Sequence, residues 1–226
     1  MNQPPEPATL GILIAAGAVS LLGFGHRSIM DALIFNPYRI LQRHQYHRLI
    51  TSGFLHADLS HLLFNGLSLY WFGNSLEKDY GLPLLLTVFF SSMIGGNLLS
   101  LLLHWNQRDY LALGASGGVC GVIFASIFLI ASGSIYILPI PVAIPMPVYA
   151  VLFVLISVFG ISAGKDNIGH DAHLGGAIVG LLVTTGFHPE IIEKKPQLYA
   201  IIMVLSLTAF LSLAFWSRKR PEHRSH

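Results

Sequence analysis

The chain has 226 residues, of which 53% are hydrophobic and 11% charged. Soluble domains carry about 25% charged residues, so this composition excludes an ordinary soluble globular domain; most of the chain must face lipid or other buried helices. The formal charge of +2 gives no reason to expect a nucleic-acid partner, and the single cysteine, Cys120, forms no internal disulfide.

A membrane-spanning helix needs about 20 mainly apolar residues. In chain order, the first run that qualifies is residues 8–24, behind a short Pro-rich tail, residues 1–7, with no signal-peptide cleavage pattern. The second, residues 61–76, is short and carries His61 and Asn65 at its start. The third covers 82–104, with Asn97 as its main polar interruption, and the fourth covers 116–132. The fifth, sixth and seventh cover 145–163, 171–187 and 198–216, the last followed by Arg218, Lys219 and Arg220. The expected fold is therefore all-α, a polytopic membrane helix bundle.

Two connections are unusual. Residues 25–60 mix Arg39, Arg43, His47, Arg48 and His56 with Ile29, Leu33, Phe35 and Phe54. A loop of this length is usually functional, and its mixed polarity predicts packing at the membrane interface. Between the fourth and fifth runs, Pro139, Pro141, Pro145 and Pro147 break any helix and predict an extended connection.

Polar side chains are costly inside a bilayer and mark function by default. The candidates are His56, His61, Asn65, Asn97, Ser116, Asp171 and His173. Ser116 sits between small residues in Gly114-Ala115-Ser116-Gly117-Gly118, where an apolar helix begins. A helix N-terminus leaves N–H groups free to stabilise an oxyanion. His173 opens the sixth run, and Gly176 and Gly180 behind it form a G-x-x-x-G pair that admits a neighbouring helix closely. That closeness is what a base needs to reach a serine. His61 and Asn65, four apart, share one helix face and present two donors to one spot.

Taken singly, each motif has a plainer reading: a serine N-cap, an interfacial histidine, a polar pair in the headgroup region. Together they converge. Successive spans alternate in direction, so the second, fourth and sixth enter from one side. Ser116, His173, His61 and Asn65 then lie at similar depth. Asp171 is two residues from His173, and residues so spaced do not face each other on a helix, which favours a Ser–His dyad over a triad. No H-E-x-x-H is present. His170 and His173 have no accompanying thiolates or convergent carboxylates, so no metal site is expected.

The ordered set His47-Arg48-Leu49-Ile50-Thr51, Phe54-Leu55-His56, His61-Leu62-Leu63-Phe64-Asn65, Gly73 to Glu77, Gly114-Ala115-Ser116-Gly117 and Ala172-His173-Leu174-Gly175-Gly176 resembles the rhomboid family of intramembrane serine proteases. The resemblance covers about residues 45–185. It implies a six-helix catalytic core, residues 8–187, around a water-filled cavity, with residues 188–226 an added span and basic tail. It implies Ser116 as nucleophile and His173 as its base. The Ser116 N–H, His61 and Asn65 become the oxyanion site, Arg48 an anchor for the long loop, Glu77 a structural acid, and the fifth span a lateral gate. Transmembrane proteins would be the substrates, with no cofactor, in a lipid bilayer such as the bacterial inner membrane. The family often carries an aromatic four residues after the serine, stacked on the histidine. Here Cys120 stands there, and this departure motivates the alternative of a non-catalytic member that binds membrane clients.

Overall fold

A computed structural model of the protein describes residues 5–130, 133–136, 142–163 and 169–219, and helices dominate it. The first, α1 (Pro7–Gly25), starts with proline in its first turn, where a missing N–H costs nothing. Its free N–H groups are taken by a distant carboxylate: Glu77 accepts from the Ala8 and Thr9 amides at 2.8 Å and from the Thr9 hydroxyl at 2.9 Å. The structural role implied for Glu77 is thus a clasp between the first span and the far end of the second.

The long loop folds into short helices, α2 (Arg27–Leu33), α3 (Pro37–Gln42) and α4 (Arg48–Thr51), and a 3-10 turn at Ser52–Phe54. It does not merely rest on the interface: Phe35, Ile40 and Leu55 are fully buried. Arg48 is buried too, and its guanidinium donates to Gln45 Oε1 and to the carbonyls of Asp31 and Ile34 at 2.6–2.9 Å. A buried cation is tolerable only when its donors are satisfied in this way. Asn97 donates to Leu49 O at 2.8 Å and to Ser52 Oγ at 3.2 Å, tying the loop to the third span.

The second span, α5 (Leu59–Tyr80), is longer than expected. Asp58 caps it by accepting from the His61 amide at 2.8 Å, and Gly81, at φ +86°, ends it. Polar residues at its ends hid the extra turns. The third, α6 (Leu82–His104), matches its apolar run. Then come α7 (Ser116–Leu129), α8 (Met146–Ala163), α9 (His170–Phe187), the short α10 (Glu190–Lys194) and α11 (Pro196–Lys219). The connection before α8 is extended where described: β1 (Ser134–Tyr136) pairs antiparallel with β2 (Ala143–Pro145). Pro139 and Pro141 lie outside the described residues.

By length and composition α1, α6 and α11 can cross a membrane, and α7 and α8 are shorter apolar helices. Large apolar side chains face outward, among them Ile14, Leu21, Ile156, Phe159, Val204 and Phe215. In water such a surface would aggregate; in a bilayer it is the lipid-facing wall. Helix α7 is buried from Gly117 to Leu129 and forms the centre of the bundle. Glycines set how tightly α6, α7 and α9 pack around it: a side chain on Gly176 or Gly180 would run into the backbone of Gly117 or Gly121. The G-x-x-x-G pair therefore does what its spacing predicts.

Candidate active site

Ser116 is the first residue of α7 and is half-buried. The strand of chain that delivers it is held on several sides. Phe35 and Ala112 form a β-bridge, the Gly114 amide donates to Ser52 O at 3.0 Å, and Asn36 Nδ2 donates to Arg108 O at 2.8 Å. Gly114 has φ +124°, a conformation only glycine adopts easily.

Glycine is needed at 114 for a second reason. The position a Cβ would occupy lies 2.8 and 2.9 Å from His61 Cε1 and Nε2, and 3.7 Å from Ser116 Oγ. The His61 imidazole edge and the Ser116 hydroxyl thus border one small space. On its other side, His61 Nδ1 lies 3.5 Å from the Ala57 amide, which points its N–H at the ring. Nδ1 is therefore the acceptor and Nε2 carries the proton, directed at that space. Asn65 is buried one turn on, spends one N–H of its amide on His61 O at 3.0 Å, and has a second to give.

His173 lies in the first turn of α9 and is half-buried. The preceding carbonyl, of Ala172, is wedged against Gly96 of α6 and Gly117 of α7. Two rings flank the imidazole: Phe153 of α8, with centroids 6.4 Å apart, and His170, meeting it near edge-on at 6.2 Å. Asp171 is engaged elsewhere, with Oδ2 at 3.2 Å from both His104 Nε2 and the Tyr110 hydroxyl. The four residues singled out from sequence thus sit at the starts of α5, α7 and α9, two of which touch through glycine.

His56 was a candidate without a role. It is fully buried beside His61, with ring centroids 4.9 Å apart. Its Nε2 faces the Ala115 amide at 3.4 Å, and its Nδ1 lies 2.9 Å from Ser20 Oγ, which donates to Phe54 O at 3.0 Å. That network fixes the tautomer with the proton on Nδ1. His56 therefore braces Ala115, the residue immediately before Ser116, against α1. Burial, with the positive field of His61 second, pushes it down to about 4. Phe153 was missed altogether, since one aromatic in an apolar span carries no signal of its own. Among the described residues no group of three or more His, Cys, Asp or Glu could hold a metal ion.

Comparison with known proteins gives a coherent result. Residues 43–190 match the family model described as the Rhomboid domain. The chain is 29% identical over 189 residues to RHOMBOID-like protein 12, mitochondrial, of Arabidopsis thaliana, covering 75% of this chain and 55% of that protein. It is 28% identical to Rhomboid protease AarA of Providencia stuartii, covering 67% and 59% respectively. It is also 28% identical to Rhomboid protease GlpG of Yersinia pestis (strain Pestoides F), covering 81% and 63%. The matches span between 34% and 59% of the length of the first curated relatives. They agree with an integral membrane protein. With a mitochondrial relative among them, they do not support the bacterial inner membrane in particular.

Proposed function

The chain belongs to the rhomboid family, and on that premise we propose that it is an intramembrane serine endopeptidase working through a Ser116–His173 dyad. Ser116 Oγ attacks a peptide carbonyl of a transmembrane substrate while His173 takes its proton. The negative charge that develops on the carbonyl oxygen is met by the Ser116 amide at the α7 N-terminus, by His61 Nε2–H and by the Asn65 amide. His173 then returns the proton to the leaving amine, and water releases the acyl group by the same steps in reverse order. The observation that carries this reading is the shared space over Gly114, bordered by Ser116 Oγ and the His61 imidazole edge.

Residues 8–187 form the catalytic unit in this reading. The 188–226 segment is an addition, fastened where Lys195 donates to the Ile127 and Ile130 carbonyls at the end of α7. Single-span membrane proteins enter beside α8. The dyad is tested by a serine-directed fluorophosphonate applied to purified protein in detergent, with the adduct mapped by mass spectrometry. An adduct on Ser116 that is lost in His173→Ala supports it. No adduct on Ser116 in the wild type favours the non-catalytic, client-binding alternative.

A further inference from the structure

We propose that Asp171 is a positioning residue for His173: with His104 and Tyr110 it forms a buried clamp that fixes the helix carrying the base to the segment that delivers Ser116. The proposal rests on Ser116 and His173 being the reacting pair.

The carboxylate is the starting point. Asp171 is only 4% exposed, and a carboxylate removed from water is costly unless paired and hydrogen-bonded. Its position as the second residue of α9 recovers part of that cost through the helix N-terminus. Its partners are His104 Nε2 and the Tyr110 hydroxyl, each 3.2 Å from Oδ2. Burial, and next the Asp171 charge, raise Tyr110 above the ordinary phenol range, so it remains a donor. The two partner rings are stacked, with centroids 3.7 Å apart and planes within 8°. His104 Nδ1 in turn lies 3.0 Å from Gln107 Oε1, so both ring nitrogens face oxygens.

What the clamp joins decides its role. His104 ends α6, and Tyr110 belongs to the segment that runs on to Ala115 and Ser116. Tyr110 is itself fixed: Asn36 Nδ2 donates to its carbonyl at 3.2 Å, and its ring meets Phe35 edge-on at 6.2 Å. On the α9 side, the residue between Asp171 and His173 is Ala172, whose carbonyl is wedged against Gly96 and Gly117. The first turn of α9 therefore has two fixed points immediately before His173 along the chain, the Ala172 backbone and the Asp171 side chain. Asp171 does for the base, through the helix, what a carboxylate touching an imidazole does directly. A small misplacement of a reacting group costs far more rate than stability, which is why a clamp at this distance from the chemistry matters.

The experiment compares Asp171→Asn, His104→Gln, their double variant and Tyr110→Phe in the full chain in detergent. Three quantities are followed: kcat and KM on a single-span substrate, the rate of fluorophosphonate labelling at Ser116, and amide exchange in the first turn of α9. Asp171→Asn is expected to lower kcat and the labelling rate by about tenfold while KM stays within about twofold. The double variant should be no slower than Asp171→Asn, because the two groups act as one unit. Exchange in the first turn should rise. Tyr110→Phe, which keeps the stack and removes one hydroxyl, should cost about threefold and serves if Asp171→Asn does not fold. Wild-type labelling and kcat in Asp171→Asn and Tyr110→Phe would overturn the proposal, as would a double variant whose losses multiply. Faster exchange with unchanged labelling also overturns it, by making the clamp structural only. A wild-type chain that labels at Ser116 but cleaves nothing counts against the endopeptidase reading alone. One that neither labels nor cleaves overturns both.

Discussion

Phe153 of α8 lies against His173, ring centroid to ring centroid 6.4 Å, with the planes inclined by 31°. Four residues after Ser116 stands Cys120, buried and too small to stack on the imidazole. The helix that resembles a lateral gate therefore supplies the ring that packs on His173, the proposed base. An aromatic contact of this kind is worth about 0.5–1.5 kcal/mol. Phe153→Ala should accordingly slow cleavage by about two- to tenfold without abolishing it, read as kcat on a single-span substrate. Cys120→Ala should leave kcat within about twofold, since its side chain contributes packing volume and no stack.

The glycine contact between α7 and α9 sets how closely the helices that carry Ser116 and His173, the proposed nucleophile and base, can approach. A methyl group at Gly176 would run into the Gly117 backbone, one residue from Ser116. Overpacking of this kind costs about 1–3 kcal/mol of stability. Displacing the base by about 1 Å costs on the order of 100-fold in rate. Gly176→Ala should show both: a modest drop in thermal unfolding temperature in detergent, and cleavage reduced by about two orders of magnitude.

Glu77 satisfies two helix N-terminal amides and a hydroxyl, the two Thr9 contacts buried and the Ala8 contact partly so. Glu77→Ala should destabilise the protein by about 2–3 kcal/mol, because the α1 N-terminus is left without acceptors away from water. Thermal unfolding checks this. The wild-type rate of fluorophosphonate labelling should survive below the lowered melting temperature, since the clasp is at the opposite end of the second span from His61.

His56 makes stability pH-dependent. Its value in the fold is pushed down from 6.5 to about 4, so the folded state keeps it neutral where the unfolded chain would protonate it. The unfolded state then binds more protons, and stability falls with falling pH. The contribution is fully present above pH 6.5 and is lost as pH drops toward about 4. Protonation of Nε2 would also remove the acceptor for the Ala115 amide, so activity should fall over the same range. His56→Gln should flatten the stability profile between those limits, as melting temperature against pH will show.

Much of the fold was legible because apolar run length is a strong signal. The third span matched its run, and the others fell within a few residues. The second span was read too short because its ends carry His61, Asn65, Glu77 and Lys78, which lower hydropathy without breaking the helix. The long loop was read as interfacial because its mixed polarity gives no sign that Phe35, Ile40 and Leu55 turn inward. Within the site, short spacing rules did well. His61 and Asn65 share a helix face, and Gly176 with Gly180 marks the close contact. Spacing set Asp171 apart from His173, and the Asp171 carboxylate pairs with His104 and Tyr110. Its partners His104 and Tyr110, and the bracing of Ala115 by His56, join residues 59 to 67 positions apart, which no local pattern encodes.

The most direct test of the account is cleavage of a purified single-span membrane protein by the purified chain in detergent or liposomes, with product termini identified by mass spectrometry. A Ser116–His173 dyad should give one defined cut in or beside the transmembrane segment, abolished by Ser116→Ala and by His173→Ala and only reduced by Asn65→Ala. Cleavage that persists in Ser116→Ala, or a wild-type chain that labels at Ser116 yet cuts no membrane substrate, would contradict it.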